Sequence, residues 1–182
     1  MIRRENEKEP TQSSESILEK EFVDSILESA KEELRIEGTL SPTLFLRLES
    51  GKRVTLPVSL HESDEDRQFY LATLAKSFAG IGQPVEEAVF LVTGWYVESE
   101  ESKDNRRIVP SRHPKRQEVL SLVGRNTDRT SCTLVIQPFR RNQKREILFE
   151  NLVAAEYAVS TGKATEAVWF LDPLFPKRTR LF

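Results

Sequence analysis

The chain is poor in the residues that build reactive or metal-binding sites. Its 182 residues include one cysteine, Cys132, and two histidines, His61 and His113. One cysteine cannot form a disulfide within the chain, and so few thiols and imidazoles cannot supply the four ligands of a structural zinc site. We therefore expect no metal and no cofactor. Cys132 lies in a strand pattern, where we interpret it as a small buried hydrophobe.

Glycine is also scarce, and no phosphate-binding loop is present. The seven glycines form no Gly-x-Gly-x-x-Gly, Gly-Lys-Ser/Thr or Gly-x-Ser-x-Gly motif. Such motifs let the backbone approach a phosphate or present a nucleophile on a sharp turn. The sequence therefore does not predict nucleotide binding by a known loop, and it favours a protein that is not an enzyme.

Long apolar runs are absent as well. Residues 1–10 are mostly charged and lack the apolar core of a signal peptide, and no stretch approaches the roughly 20 apolar residues that cross a bilayer. We expect a cytoplasmic protein that makes no contact with a membrane.

Charge is unevenly distributed along the chain. Residues 1–104 hold 12 Lys and Arg against 22 Asp and Glu, a net charge of -10, whereas residues 105–182 hold 15 against 7, a net charge of +8. The two values add up to the net charge of -2. Such a split points to an anionic partner, or to acidic and basic surfaces that pair within or between molecules.

Two segments have the apolar spacing of amphipathic helices. The first runs from Leu18 to Leu34 and is placed to end at Gly38. The second begins after an N-cap at Ser63, and its apolar stripe ends at Phe78. Because both helices have one apolar face, we expect both to pack on a sheet.

Strand patterns fill most of the remaining chain. They cover residues 43–48, 54–60, 88–97, 118–123, 130–139, 145–149 and 167–171. The first two form a hairpin, and Pro57 places its second strand at an edge because proline has no backbone donor. The continuous apolar run at 88–97 indicates a central strand buried on both faces. We interpret residues 124–128 as a turn, and residues 152–159 fit a helix or an extended strand.

The order of these elements predicts an α+β domain. The order α-β-β-α-β-β-β-β contains hairpins and no βαβ units, which indicates a mainly antiparallel sheet with two amphipathic helices packed on it. It is similar to the element order of the roadblock and longin folds. We expect one domain at 14–171, a disordered tail at 1–13 and a C-terminal tail rich in Pro, Phe and basic residues at 172–182. That last tail either clasps its own domain or docks on another chain.

The most individual motif follows the central strand. A strand ending at Trp95 is followed by a Pro-Ser-x-His-Pro-x-Arg-x-Glu-Val sequence at Pro110–Val119, and Gly-Thr-Leu-x-Pro at Gly38–Pro42 precedes the hairpin. This combination resembles an uncharacterised family of prokaryotic proteins over roughly residues 18–149. The resemblance implies no activity, cofactor or substrate.

The same motif is a candidate anion site. Two prolines restrict the backbone around a hydroxyl, a guanidinium and an imidazole, so these groups lose little entropy on binding. The candidate ligand-binding residues are Arg107, Ser111, Arg112, His113 and Arg116. In an enzyme, His113 would serve as the acid or base, and Glu98 or Glu118 would orient it. The alternative is a solvated connection between strands.

A second basic stretch lies at a hairpin tip. Its candidate nucleic-acid-binding residues are Arg140, Arg141, Lys144 and Arg145. Against this interpretation, the whole chain is acidic and no aromatic residues alternate with the basic ones. Our main hypothesis is therefore a non-catalytic binding or scaffold module whose partner is another protein or a second copy. The alternatives are a nucleic-acid-associated protein, and an enzyme or sensor that binds an anionic small molecule around His113.

Overall fold

The structure, a computed structural model, describes residues 20–59, 63–96, 116–127, 131–158 and 169–175. The helices in these ranges are α1 (Lys20–Glu37), α2 (Asp64–Gly80) and a C-terminal 3-10 helix, η1 (Trp169–Leu174). The strands are β1 (Thr43–Leu48), β2 (Arg53–Pro57), β3 (Val85–Tyr96), β4 (Gln117–Asn126), β5 (Ser131–Arg141), β6 (Ile147–Phe149) and β7 (Val153–Ala158). The predicted α+β class and its element order are confirmed through β6. β7 lies within residues 152–159, for which the sequence pattern fits either a helix or an extended strand.

The strands form one antiparallel sheet in the order β2-β1-β3-β4-β5-β6. β5 changes partner along its length, because residues 131–136 pair with β7 and residues 139–141 pair with β6. β2 lies at the end of this order, so Pro57 belongs to an edge strand, as predicted. β3 and β4 lie in the middle and pair along ten positions.

One face of the sheet is covered by α1. The helix buries the apolar residues predicted to face the core, and the strands meet them with side chains that alternate along β3, β4 and β5. The buried residues of this face are Phe22, Val23, Ile26, Leu27, Ala30, Leu34, Val89, Leu91, Leu120, Leu122, Val135, Phe139 and Ile147. The opposite face is covered by α2 and η1.

Helix ends are set by local chemistry. Ser63 caps α2 by accepting a hydrogen bond on Oγ from the backbone N–H of Asp66, at 3.1 Å. After α1, Gly38 has a φ of +73° and its N–H donates to the carbonyl of Leu34 at 3.0 Å. Both ends agree with the sequence prediction, because each depends on residues within one turn.

Two boundaries differ from the prediction. The turn predicted at 124–128 is wrong for residues 124–126, which continue β4 and pair with residues 87–89 of β3. The strand predicted at 167–171 is wrong for residues 169–171, which are part of η1. Glycine and asparagine favour turns locally and short apolar runs fit strand or helix, so pairing and packing decided both cases.

Neither α1 nor α2 combines the length and the apolar character needed to cross a membrane, in the part of the chain that the structure describes.

Gly38 and Gly80 provide a matched test of the helix ends. Replacing Gly38 by alanine forces a side chain into a left-handed backbone, so we expect the free energy of unfolding to fall by about 1 kcal/mol. An added Cβ meets only Arg141 Nη1, at 3.8 Å, so crowding adds little.

Gly80→Ala is the control, because Gly80 lies in α2 and an added Cβ has no atom within 4 Å. This change should leave the free energy of unfolding unchanged or raise it by up to about 1 kcal/mol. Urea unfolding of both variants measures the difference. Equal losses at the two positions would contradict the conformational argument.

Candidate functional site

The sheet face under α2 forms an apolar groove, which we call the α2 groove. Its floor comes from β1, β3, β4 and β5, and its wall comes from α2. The buried groove residues are Leu44, Leu46, Leu48, Leu71, Ala75, Val85, Ala88, Val123 and Cys132. Cys132 is thus a buried cysteine outside any disulfide, in an apolar setting, as the sequence predicted.

Residues 169–175, which we call the clasp segment, fill part of this groove. Leu171, Leu174 and Phe175 are buried in it, and the Phe170 ring meets the Phe90 ring edge to face, with centroids 5.4 Å apart. The segment contacts α2 and β3. Of the two alternatives for the C-terminal tail, its described part, residues 172–175, clasps its own domain.

A charged pair lies within this apolar contact. Arg125 faces the α2 groove from β4, between Ala88 of β3 and Cys132 of β5, and only 2% of its side chain is exposed. Its Nε atom lies 2.6 Å from Oδ1 of Asp172 in the clasp segment, whose side chain is 31% exposed. The contact lacks the alignment of a hydrogen bond, so it is an ion pair held by charge.

The surroundings of Arg125 do not satisfy all of its donors. Its Nη1 atom is buried and has no hydrogen-bond partner among the described residues. The pair of Arg47 and Glu87 differs, because Arg47 contacts Glu87 with two atoms, Nε to Oε2 at 2.9 Å and Nη2 to Oε1 at 2.8 Å. Burying a guanidinium with an unmet donor costs free energy. Because Arg125 also carries a buried positive charge, the α2 groove favours a segment that brings a carboxylate to it.

The predicted anion site lies almost wholly outside the described residues. Arg107, Ser111, Arg112 and His113 fall outside the described ranges, as does His61. Arg116 is described, and its guanidinium stacks on the Trp95 ring at 4.7 Å from the centroid. This contact joins the two ends of the segment that carries the motif, and the anion site itself stays a prediction.

The four predicted nucleic-acid-binding residues do not share one surface. Arg140 and Arg141 are neighbours in β5 and therefore project to opposite faces of the sheet. Arg141 contacts Glu118 at 3.2 Å and stacks on Phe139. Lys144 and Arg145 are exposed in the turn between β5 and β6.

The turn that carries Lys144 and Arg145 is built around Asn142. The Asn142 side-chain oxygen accepts bonds from the backbone N–H groups of Lys144 and Glu146, both at 2.9 Å. Neighbouring side chains of a strand point to opposite faces, so the separation of Arg140 from Arg141 could have been predicted from the sequence. Nucleic-acid binding stays a prediction.

Sequence reasoning missed Arg125 and Asp172. The sequence pattern places Arg125 in a turn and Asp172 in a tail, so it predicts burial for neither. One signal was present: extending the alternation of β4 past Val123 places Arg125 on the same face as Val123. Nothing in the sequence indicated its partner.

No group of three His, Cys, Asp or Glu side chains is arranged to hold a metal ion within the described ranges. Comparison with protein-family models, with curated proteins and with solved structures found no match for this chain. The interpretation of the site therefore rests on its own geometry.

Replacing Asp172, although it is partly exposed, should lower the stability of the protein substantially. Asp172→Ala leaves a buried guanidinium without its carboxylate, so we expect the free energy of unfolding to fall by about 2–3 kcal/mol. This is below the range for wholly buried pairs because Asp172 is partly exposed. The double variant Arg125→Met, Asp172→Ala should recover at least half of the loss, since it removes the stranded charge.

Glu118→Ala serves as the control, because it breaks the more exposed pair with Arg141. It should cost less than about 1 kcal/mol. Urea unfolding of the full chain measures all three variants. An Asp172→Ala protein as stable as the control variant would show that the pair contributes little.

Proposed function

We propose that this chain is a non-catalytic binding module whose α2 groove accepts a short apolar segment with a carboxylate. The observation that carries this proposal is the clasp segment itself, which places Asp172 on the buried Arg125 and apolar side chains on either side of it. The segment behaves as a ligand supplied by the same chain. An outside partner would bind by presenting the same chemistry.

The clasp segment has the features of a recognition peptide. It is short, its apolar residues Leu171 and Leu174 lie on either side of Asp172, and Pro173 limits its backbone freedom. Apolar anchors in such a segment supply affinity, and a desolvated charge supplies selectivity because a mismatched partner leaves Arg125 unpaired. The geometry thus supports recognition of sequence and not only of hydrophobicity.

Partner class and compartment are part of the proposal. The partner is another protein, or a second copy of this chain that presents its own clasp segment as a homo-oligomer. We place the protein in the cytoplasm, where a buried cysteine thiol such as that of Cys132 stays reduced.

The test is a peptide competition on the full chain. A labelled peptide with the sequence of residues 169–180 is titrated with the wild-type chain and with Asp172→Ala, and anisotropy gives the dissociation constants. The wild-type groove is occupied in cis, so its apparent affinity is reduced by the fraction of open molecules. Asp172→Ala weakens that occupancy, so we expect it to bind the peptide at least about tenfold more tightly.

A second peptide with asparagine in place of the aspartate is the matched control. It should bind the Asp172→Ala chain more weakly than the parent peptide, because it offers Arg125 no charge. Circular dichroism at the assay temperature verifies that the variant is folded. Equal binding of both peptides, or equal binding by both chains, would overturn the proposal.

A further inference from the structure

A second feature of the α2 side is a cavity next to the clasp segment. It has a volume of about 110 Å³ and is partly open to solvent. Its walls are mainly apolar and include Leu44, Leu71, Phe90 and Phe170, and Arg67 and Tyr70 of α2 also line it. The ion pair of Arg125 and Asp172 does not belong to it.

The cavity has room for one small ring. An apolar protein cavity of roughly 150 Å³ takes up benzene, so a partly open space of about 110 Å³ admits a ring of similar size whose substituent points outward. The walls around Leu44, Leu71 and Phe90 offer apolar contact to such a ring. Aromatic ligands also gain edge-to-face contacts with phenylalanine side chains.

One side chain of the cavity wall has a hydrogen-bond donor without an acceptor in the part of the chain that the structure describes. The Nε atom of Arg67 is buried and has no hydrogen-bond partner among the described residues, while its Nη2 atom pairs with Asp64. An arginine donates from five N–H groups and cannot give up its proton, so this donor needs an acceptor. A ligand in the cavity, which Arg67 lines, would supply one.

The charges nearby define the kind of acceptor. The first turn of α2 carries three carboxylates, on Asp64, Glu65 and Asp66, beside the single guanidinium of Arg67. Asp64 already pairs with Arg67, so a ligand carboxylate at Arg67 meets a second negative charge, which the positive end of the helix dipole offsets only in part. A carbonyl or similar neutral oxygen satisfies Nε without this repulsion.

We propose that this cavity binds a small uncharged aromatic molecule with one hydrogen-bond acceptor. The ring lies among Leu44, Leu71 and Phe90, and the acceptor receives the N–H of Arg67 Nε. This is a site for a small molecule beside the clasp segment, in a part of the α2 groove that the segment leaves open.

The cavity and the clasp segment share one wall. Phe170 belongs to the clasp segment and lines the cavity, so the ligand gains contact only when the segment is in place. This coupling rests on the proposed function. The closed segment raises the affinity for the ligand, so by linkage the ligand stabilises the closed segment. It therefore lowers the affinity of the α2 groove for an outside segment that has no ring in the place of Phe170.

The experiment compares three probes of nearly equal shape on the full chain. Acetophenone has a ring and a carbonyl, α-methylstyrene replaces the oxygen by carbon, and benzoate adds a charge. Titrations followed by ligand-observed NMR should give acetophenone the lowest dissociation constant, about tenfold below that of α-methylstyrene. Tightest binding of benzoate, or equal binding of the two neutral probes, would overturn the stated ligand class.

Variants locate the binding. Arg67→Met should remove the difference between acetophenone and α-methylstyrene, whereas Lys76→Met, an exposed position on the same helix, should preserve it. Val58→Phe fills the cavity from its half-buried rim and should abolish binding of both neutral probes without lowering the urea midpoint. Binding that survives Val58→Phe would show that the probes occupy another place.

The coupling has its own readout. Saturating acetophenone should weaken binding of a peptide of residues 171–180, which lacks Phe170, to the Asp172→Ala chain, and unchanged affinity for this peptide would overturn the coupling. A chain that binds acetophenone with the stated selectivity but binds no peptide would overturn the proposed function and leave the cavity assignment intact.

Discussion

The central strands are apolar on both faces, and this constraint governs the rest of the structure. β3 and β4 bury side chains alternately toward α1 and toward α2, so each face of the sheet needs a cover. α1 covers one face with its apolar stripe. α2 covers only part of the other, and residues 169–175 complete that cover with Leu171, Leu174 and Phe175. A segment near the C-terminal end of the sequence is therefore part of the core.

Arg125 turns this cover into a selective contact. A wholly apolar groove would accept many apolar segments. A buried guanidinium favours only a segment that places a negative charge next to it. Pairing with Asp172 fixes where the segment lies along the groove. The other end of the segment is held by the contact between the rings of Phe170 and Phe90. Beside these rings the sheet face is not fully covered, and the cavity lies there.

Local patterns predicted most of the architecture. Helical spacing gave both helices, Ser63 and Gly38 gave their ends, and the period of two gave the hairpin with Pro57 at the edge, because each signal depends on residues close in sequence. The end of β4 and the 3-10 helix were missed for the opposite reason. Gly124 and Asn126 favour a turn on their own, and only pairing with β3 keeps them extended. Of the candidate site residues named from sequence, those described lie outside the α2 groove.

The sequence by itself determined the α+β class, the apolar faces and the buried character of Cys132, since periodicity records which side of an element avoids water. Only the tertiary structure decided which segment covers the second face, and it alone joined Arg125 to Asp172. Their proximity depends on the clasp segment returning to the sheet after β7, a long-range choice made by the fit of apolar surfaces and by the need to neutralise a buried charge. No local pattern carries that information.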